Sequence, residues 1–463
     1  MFSAETYIKR REELKKKINR GVLLFLGNEE SPMNYKDNPY HFRQDSTFLY
    51  YFGREEAGLS AVIDVESGDE ILFGYDFGID EVIWMGPQKS LKEKGGQVGI
   101  KETRPIDELA KYLAGEKKKG RTIHYLPPYR SEHVEKLCDL LNMDSKGIRN
   151  AVSETFIKAV VAQRSIKEKQ EITEIEEAHA ITREMHLTAI KMAKPGIYER
   201  DIAGIIEGIA LAKGSGVSFP IILSVRGETL HNHYHGNQLK KGDLVINDSG
   251  AESINKYAAD ITRTIPVGGV FDPKQKDIYE TVLLAQTSAI AAIGPGKPYL
   301  DIHLLAARIM AEGLKSVGLM QGNIEDAVIQ GAHALFFPHG LGHMMGLDVH
   351  DMENLGEEYV GYDETVQRST QFGLAYLRLA KKLRPGYVLT VEPGIYFIPA
   401  LIELWEKEKK FIEYINYEKV KEYIGFGGIR IEDDVEVTEG GYRLIGKEIP
   451  KKPEDIRHIY EGN

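Results

Sequence analysis

Four stretches of the chain concentrate carboxylates and imidazoles beside glycine turns. In GDLVINDSGAESINKYAADITRTIPV an apolar run leads into Asp248, a Ser-Gly turn follows, and a second strand-like run carries Asp260. FFPHGLGHMMGLDVHD holds His339, His343 and His350 in an otherwise apolar setting, where each ring nitrogen needs a partner. LRPGYVLTVEPGIYF delivers Glu392 into a Pro-Gly turn. GFGGIRIEDDVEVTEGG alternates, with Ile429, Ile431, Val435 and Val437 on one face and Arg430, Glu432, Asp434 and Glu436 on the other. Each stretch also has a plain structural reading: a turn aspartate, scattered core histidines, a solvated strand-end glutamate, a half-solvated edge strand. The glycines match no phosphate-loop spacing. Together, two Asp, one or more His and two Glu form an oxygen-rich set without thiolate, which suits Mn, Co, Fe or Zn. Four carboxylates over-supply one ion and suit a pair. Two ions about 3.5–4 Å apart can share a water, lower its pKa and stabilise the charge that develops in hydrolysis. A metallohydrolase is the leading class.

The elements that must hold these groups are legible in outline. The chain has 463 residues, 42% apolar and 28% charged, a globular composition with length for roughly two to three domains. A net charge of −11 argues against nucleic-acid binding as the main activity, since that binding needs Lys and Arg to displace counterions. The one cysteine, Cys138, excludes an internal disulfide and a CxxC metal site and reads as a core thiol. MFSAETYIKRREELKKKINRG has helical charge spacing and no signal-type apolar run. No segment approaches the roughly 18 apolar residues that span a bilayer. We expect a soluble cytoplasmic protein with no membrane partner.

Residues 1–160 read as a compact α/β domain, with a basic helix, the apolar runs GVLLFLG, LSAVIDV and EILFGY, and helical patterns near 105–115 and 130–143. The second domain, 161–463, opens on SIKE, read as a capping box with Ser165 as N-cap and Glu168 at N3. The helix that follows carries Ile172, Ile175, Ile181, Met185 and Ala189 on one stripe and stops at Lys194-Pro195-Gly196. Pro195-Gly196 with Asp201-Ile202 recurs as Pro295-Gly296 with Asp301-Ile302, which suggests a duplicated helix-plus-sheet unit with a cleft between its halves.

At this point the sequence resembles the aminopeptidase P and prolidase group of dinuclear metallopeptidases. The group's ordered Asp, Asp, His, Glu, Glu pattern matches Asp248, Asp260, His343, Glu392 and Glu432 in DSG, ADITRT, HGLGH, TVEPG and RIEDD. The resemblance extends to FRQDSTFLYYFG in the N-terminal part and so covers nearly the whole chain. It implies a mixed α/β (α+β) fold: an N-terminal ribonuclease-H-like, creatinase-type domain followed by a pseudo-symmetric pita-bread catalytic domain. It implies two divalent ions per subunit, Mn first, with Co, Zn or Fe as alternatives. Asp260 and Glu432 would bridge the ions, Asp248 would complete one site, and His343 with Glu392 the other. Glu392 would accept the proton of the bridging water. His233 in LHNHYHGN, His339 and His350 would hydrogen-bond the substrate carbonyl and the tetrahedral intermediate, and Arg430 would orient carboxylates. His231 and His235 crowd the His233 assignment.

The implied activity is removal of the first residue from peptides with proline second, with dipeptide cleavage (prolidase) as the alternative. Arg378, within the inserted ENLGEEYVGYDETVQRSTQFGLAYLRLAKK, aligns with an arginine that prolidases use to hold a dipeptide's carboxylate; a solvated helix arginine in LRLAKKLR is the plain reading. The Asp248–Asp260 interval is wider than usual by an extra bulge at SINK, and Phe219 stands where many relatives have Tyr. Creatinase-like chemistry and a non-catalytic binding relative are both disfavoured by the intact ligand positions. Methionine aminopeptidase lacks so large an N-terminal domain. A homodimer or homotetramer is implied by resemblance alone.

Overall fold

The structure, a computed structural model, describes residues 1–462 and divides into two compact units. The first comprises Met1–Arg164 with Asn354–Tyr359. Its five-stranded sheet has the order β4-β3-β2-β1-β5, from β1 (Val22–Leu26), β2 (Ser60–Asp64), β3 (Glu70–Gly74), β4 (Glu102–Pro105) and β5 (Ile123–His124). β1–β2 and β2–β3 are antiparallel, whereas β3–β4 and β1–β5 are parallel. Val22, Leu24, Val62, Ile71 and Phe73 pack with Leu109, Leu113, Leu137 and Leu141 from two helices, Glu108–Lys118 and Ser131–Leu141. Cys138 is unpaired and half-buried against this cluster. The basic helix Ala4–Lys17 is less solvated than its charge suggests. Arg11 is fully buried, with Nε on Glu70 at 2.8 Å and its other nitrogens on the carbonyls of Tyr51 and Val98.

The second unit comprises Ser165–Glu353 and the chain from Val360 onward. Its long helix, Lys169–Met192, buries the expected stripe of Ile172, Ile175, Ile181, Met185 and Ala189, but it starts later than SIKE predicts. Ser165 is not the cap; Glu168 is, and the Glu171 carboxylate accepts the Glu168 N–H at 2.9 Å. The reason is tertiary: the Lys167 N–H donates to the Gly386 carbonyl at 2.8 Å, so the chain is still following a neighbouring turn there.

The repeat in the sequence corresponds to a structural one. Helix Lys169–Met192 packs with Glu199–Lys213, and Pro273–Ala292 packs with Tyr299–Ser316. Gly196 and Gly296 both take positive φ, +91° and +78°, which only glycine adopts cheaply. Their N–H groups donate to equivalent carbonyls, Leu239 and Leu383, each at 2.8 Å. The first pair of helices accompanies an antiparallel sheet β6-β7-β8 (Ile222–Ser224, Leu244–Ser249, Ile261–Pro266). In the other half, β9 (Val388–Val391), β12 (Asp433–Thr438) and β13 (Gly441–Leu444) form a sheet of order β13-β12-β9, while β10 (Gly394–Tyr396) pairs with β11 (Gly428–Arg430). Gly242 before β7 and Gly386 before β9 also share positive φ, and Asp248 and Glu392 follow them at the same interval. Asp260 and Glu432 each stand immediately before a strand, β8 and β12.

Candidate metal centre and active site

Asp248 lies within β7, paired with Ile222 of β6 and Thr262 of β8, so it is a strand residue rather than a turn aspartate. Glu392 follows β9, and its N–H donates to the Leu341 carbonyl at 2.8 Å. His343 is laid along β9: its N–H donates to Thr390 Oγ1 at 3.1 Å and its carbonyl accepts the Thr390 N–H at 3.0 Å. The Glu432 N–H donates to the Thr262 carbonyl. The face of the last segment that carries Arg430, Glu432 and Asp434 is buried, at 4%, 1% and 1% exposure, which overturns the edge-strand reading.

Sheet pairing thus gathers the four carboxylates and His343 on one cavity of about 810 Å³. Asp260, His343 and Glu432 offer ligand atoms within 4.8 Å of one another. His343 Nδ1 faces the Met344 carbonyl at 3.1 Å, which leaves Nε2 toward Asp260 Oδ2 at 3.4 Å and Glu392 Oε1 at 3.7 Å. Asp248 Oδ1, Asp260 Oδ1 and Glu432 Oε1 are buried without a hydrogen-bond partner. Unpartnered buried oxygens are costly, and four clustered carboxylates cannot all ionise unaided.

The proton affinities express the same demand for cations. Burial, offset in part by Arg430, pushes Asp248 up to about 6. Burial likewise pushes Glu392 up to about 7 and Glu432 well above the usual carboxylate range. Burial works against a charged His343, yet its hydrogen bond to Asp260 and the charges of Asp260 and Glu392 outweigh that and raise it to about 9. A divalent cation satisfies the orphaned oxygens and replaces the proton on Nε2, so this donor set fits a hard or borderline metal.

Arg430 is the permanent cation of the cluster. Its Nη2 donates to Asp248 Oδ2 at 2.6 Å, Nε to Thr262 Oγ1 at 3.1 Å and Nη1 to the Tyr396 hydroxyl at 2.9 Å. Thr262 passes the contact on by donating to Glu432 Oε2 at 2.7 Å. The Tyr396 hydroxyl also meets His339 Nε2 at 2.9 Å, and His339 Nδ1 stands 3.9 Å from Glu392 Oε2. Burial, with Arg430 nearby, holds His339 down to about 3, so it is a neutral imidazole. His350 packs against His343 with ring centres 4.0 Å apart and planes tilted by 43°. Its Nδ1 meets Glu353 Oε2 at 3.0 Å, and Arg378 Nη1 donates to the same oxygen.

All ten residues singled out in the sequence line this cavity: His233, Asp248, Asp260, His339, His343, His350, Arg378, Glu392, Arg430 and Glu432. Arg378 is not a helix residue; it follows the short 3-10 turn Leu374–Tyr376. Phe219, Phe372, Ile398 and Leu401 supply apolar wall. Tyr396, Thr262 and Glu353 escaped the sequence reading, whereas His231, named there as a rival to His233, lines the cavity beside it. Burial lowers His231, with Arg430, Arg378 and His233 adding to the effect, whereas His233 Nδ1 turns toward the Ile221 carbonyl at 3.5 Å. The GIYF run after TVEPG is the signal that could have found Tyr396.

Comparison with known proteins gives this site its context. The family model "Metallopeptidase family M24" matches residues 173–439, and "Aminopeptidase P, N-terminal domain" matches residues 7–124. The human protein named Xaa-Pro dipeptidase is 32% identical over 453 residues, which covers 95% of this chain and 89% of that protein. A probable Xaa-Pro aminopeptidase of Sordaria macrospora is 31% identical, covering 95% and 91% respectively. The solved structure of aminopeptidase P from E. coli with the inhibitor Pro-Leu superposes with a TM-score of 0.82 at 27% identity, covering 100% of this chain and 99% of that one. The mixed α/β architecture is therefore the pita-bread one expected from the sequence. With its carboxylate and imidazole cluster at the ends of paired strands, the chain belongs to metallopeptidase family M24.

Proposed function

We propose that this metallopeptidase is an Xaa-Pro aminopeptidase, releasing the first residue of peptides with proline in second position. The observation that carries the reading is the buried set Asp248, Asp260, His343, Glu392 and Glu432 with its orphaned oxygens, at one wall of a cavity of about 810 Å³. Relatives matched along nearly the whole chain carry Xaa-Pro names. Asp260, Glu432 and His343 would hold the metal, joined by Asp248 and Glu392 as a two-ion set, with Mn first and Co, Zn or Fe as alternatives. When bound, divalent ions supply an activated water and polarise the scissile carbonyl.

The chain's own groups do the rest. Glu392 accepts the water's proton at a carboxylate oxygen and returns it to the proline nitrogen. His350, with His233 or His231, donates to the carbonyl oxygen as it gains charge, while His339, whose Nδ1 donates to the Gly340 carbonyl, holds the Tyr396 hydroxyl at its Nε2 beside Glu392. Arg430 fixes Asp248 directly and Glu432 through Thr262. An Xaa-Pro amide lacks an N–H and has a fixed φ, so a site that protonates a tertiary nitrogen, rather than one gripping an extended backbone, is what it needs.

Arg378 supports a second reading, dipeptide cleavage, because its guanidinium lines the same cavity and can pair with a free carboxylate. The deciding experiment compares Gly-Pro with Gly-Pro-Ala on Mn-loaded enzyme, wild type against Arg378→Ala. The expected result is cleavage of the tripeptide by wild type and variant alike; because Arg378 also donates to Glu353, any loss in the variant falls on both substrates together. Cleavage of the dipeptide alone, abolished in the variant, would establish a dipeptidase; cleavage of neither would refute proline specificity.

The carboxylate affinities add a prediction about metal loading. Because Asp248 and Glu392 hold protons up to about 6 and about 7, a cation must displace them. Affinity for Mn should therefore rise as pH increases from 5.5 to 7.5, with proton release on binding, below those two values most steeply. Titration calorimetry in two buffers of different ionisation heat measures it; pH-independent binding without proton release contradicts the ligand set. The assembly we propose is a homodimer or homotetramer in the cytoplasm, and among the described residues no helix is long and apolar enough to cross a membrane.

A further inference from the structure

Lys167 and Asp351 form an ion pair that does not line the cavity: Nζ stands 3.0 Å from Oδ2, with each side chain 1% exposed. Such a pair adds little stability over two packed apolar side chains, so its use asks for another reason. The contacts of Asp351 supply one. Its N–H donates to the Met344 carbonyl at 2.9 Å, and its Oδ1 accepts the Asp348 N–H at 3.3 Å. The Gly346 N–H donates to the Asp348 carbonyl at 3.0 Å. A Cβ on Gly346 would lie 2.6 Å from Asp351 Oδ2 and 2.9 Å from Lys167 Cε, so the glycine exists to admit the pair. The loop Met344–Asp351 is thereby closed on itself and pinned to the chain just before the long helix.

The same loop carries the site's outer groups. His350 precedes Asp351, and after it Met352 takes φ +64°, a turn that aims Glu353 back. Glu353 Oε2 receives both His350 Nδ1 and Arg378 Nη1. Movement of Asp351 would displace His350, and through Glu353 it would displace Arg378 as well. We propose that Lys167 and Asp351 are positioning residues: a buried clasp that sets His350, Glu353 and Arg378 as one rigid group. Neither touches substrate, and the inference rests on the peptidase reading for its kinetic readout only.

The test uses metal-loaded enzyme and Gly-Pro-Ala. Lys167→Met should lower kcat about 10²-fold, the cost of a small misplacement of groups around a reacting bond. Because that variant leaves a buried carboxylate unpaired, the double variant Lys167→Met/Asp351→Leu is made beside it; with both charges gone it should fold and show the same loss. In a Glu353→Gln background the Lys167→Met loss should shrink to less than about 3-fold, since residues acting through one contact are not additive. A merely structural lysine would give the full loss again. Hydrogen exchange of the Gly346 and Asp351 amides should quicken in both Lys167 variants, whatever the substrate proves to be. Wild-type kcat in the double variant, full additivity with Glu353→Gln, or unchanged exchange each overturns the clasp. Failure of the wild type to cut Gly-Pro-Ala would instead count against the peptidase reading, while the exchange measurement still decides the clasp.

Discussion

Glu392→Gln should lower kcat on an Xaa-Pro peptide by about 10²–10⁴-fold, the range for loss of a positioned general base. The variant keeps the shape of the side chain and its place after β9, so the effect isolates the proton-accepting oxygen and the ligand charge. Its stability should move in a revealing direction. Burial raises the Glu392 carboxyl to about 7, above its unfolded value, so the folded metal-free chain binds more protons and loses stability as pH rises toward and through that value. The glutamine variant lacks this term. Metal-free wild type should therefore fall in melting temperature between pH 5 and 8 more steeply than metal-free Glu392→Gln. Asp248 and Glu432, also raised by burial, leave some slope in both. A variant with wild-type turnover, or two parallel pH curves, would contradict the assignment.

Asp433→Asn should cost about 3–5 kcal/mol of stability at neutral pH, because it leaves two buried cations without their carboxylate. Asp433 receives Arg263 Nη2 at 2.6 Å, Lys451 Nζ at 2.5 Å and Gln286 Nε2 at 2.8 Å, and Arg263 is fully buried. Burial alone would push this carboxyl up, but Arg263 and Lys451 hold it far below the usual range. A folded pKa below the unfolded one stabilises at pH values above about 4 and loses that contribution as pH falls further. The gap between wild type and variant in urea unfolding should thus be full at pH 7 and shrink below about pH 4. Function should suffer too, since Arg263 Nη1 also donates to the Glu432 carbonyl at 2.6 Å and so places the neighbouring ligand. A loss under about 1 kcal/mol at pH 7, the value of a surface ion pair, would show that the network is not working as a buried unit.

How much was legible in advance depends on the range of the interaction. The helix stripe from Ile172 to Ala189 and the Pro-Gly repeat were readable because periodicity and positive-φ glycines are local properties. The residue types of the site were readable as two Asp, one or more His and two Glu, whereas the particular set Asp248, Asp260, His343, Glu392 and Glu432 came from the family resemblance. The SIKE cap failed for the converse reason: local preference for Ser165 lost to a backbone contact between Lys167 and Gly386, far away in sequence.

By itself, then, the amino-acid order determined the class of chemistry and the duplicated scaffold, since residue type and short-range spacing carry those, while the individual ligands rested on the family resemblance. Only the tertiary structure decided which groups serve them. Arg430 reaches Asp248 across the two halves of the repeat, Tyr396 joins His339 to Arg430, and Glu353 ties His350 to Arg378. It also turned an alternating strand that could have faced water into one whose Arg430, Glu432 and Asp434 are sealed, with Glu436 half-buried. These outcomes depend on which strand ends meet, and burial then sets the proton affinities; neither is a property of any one segment.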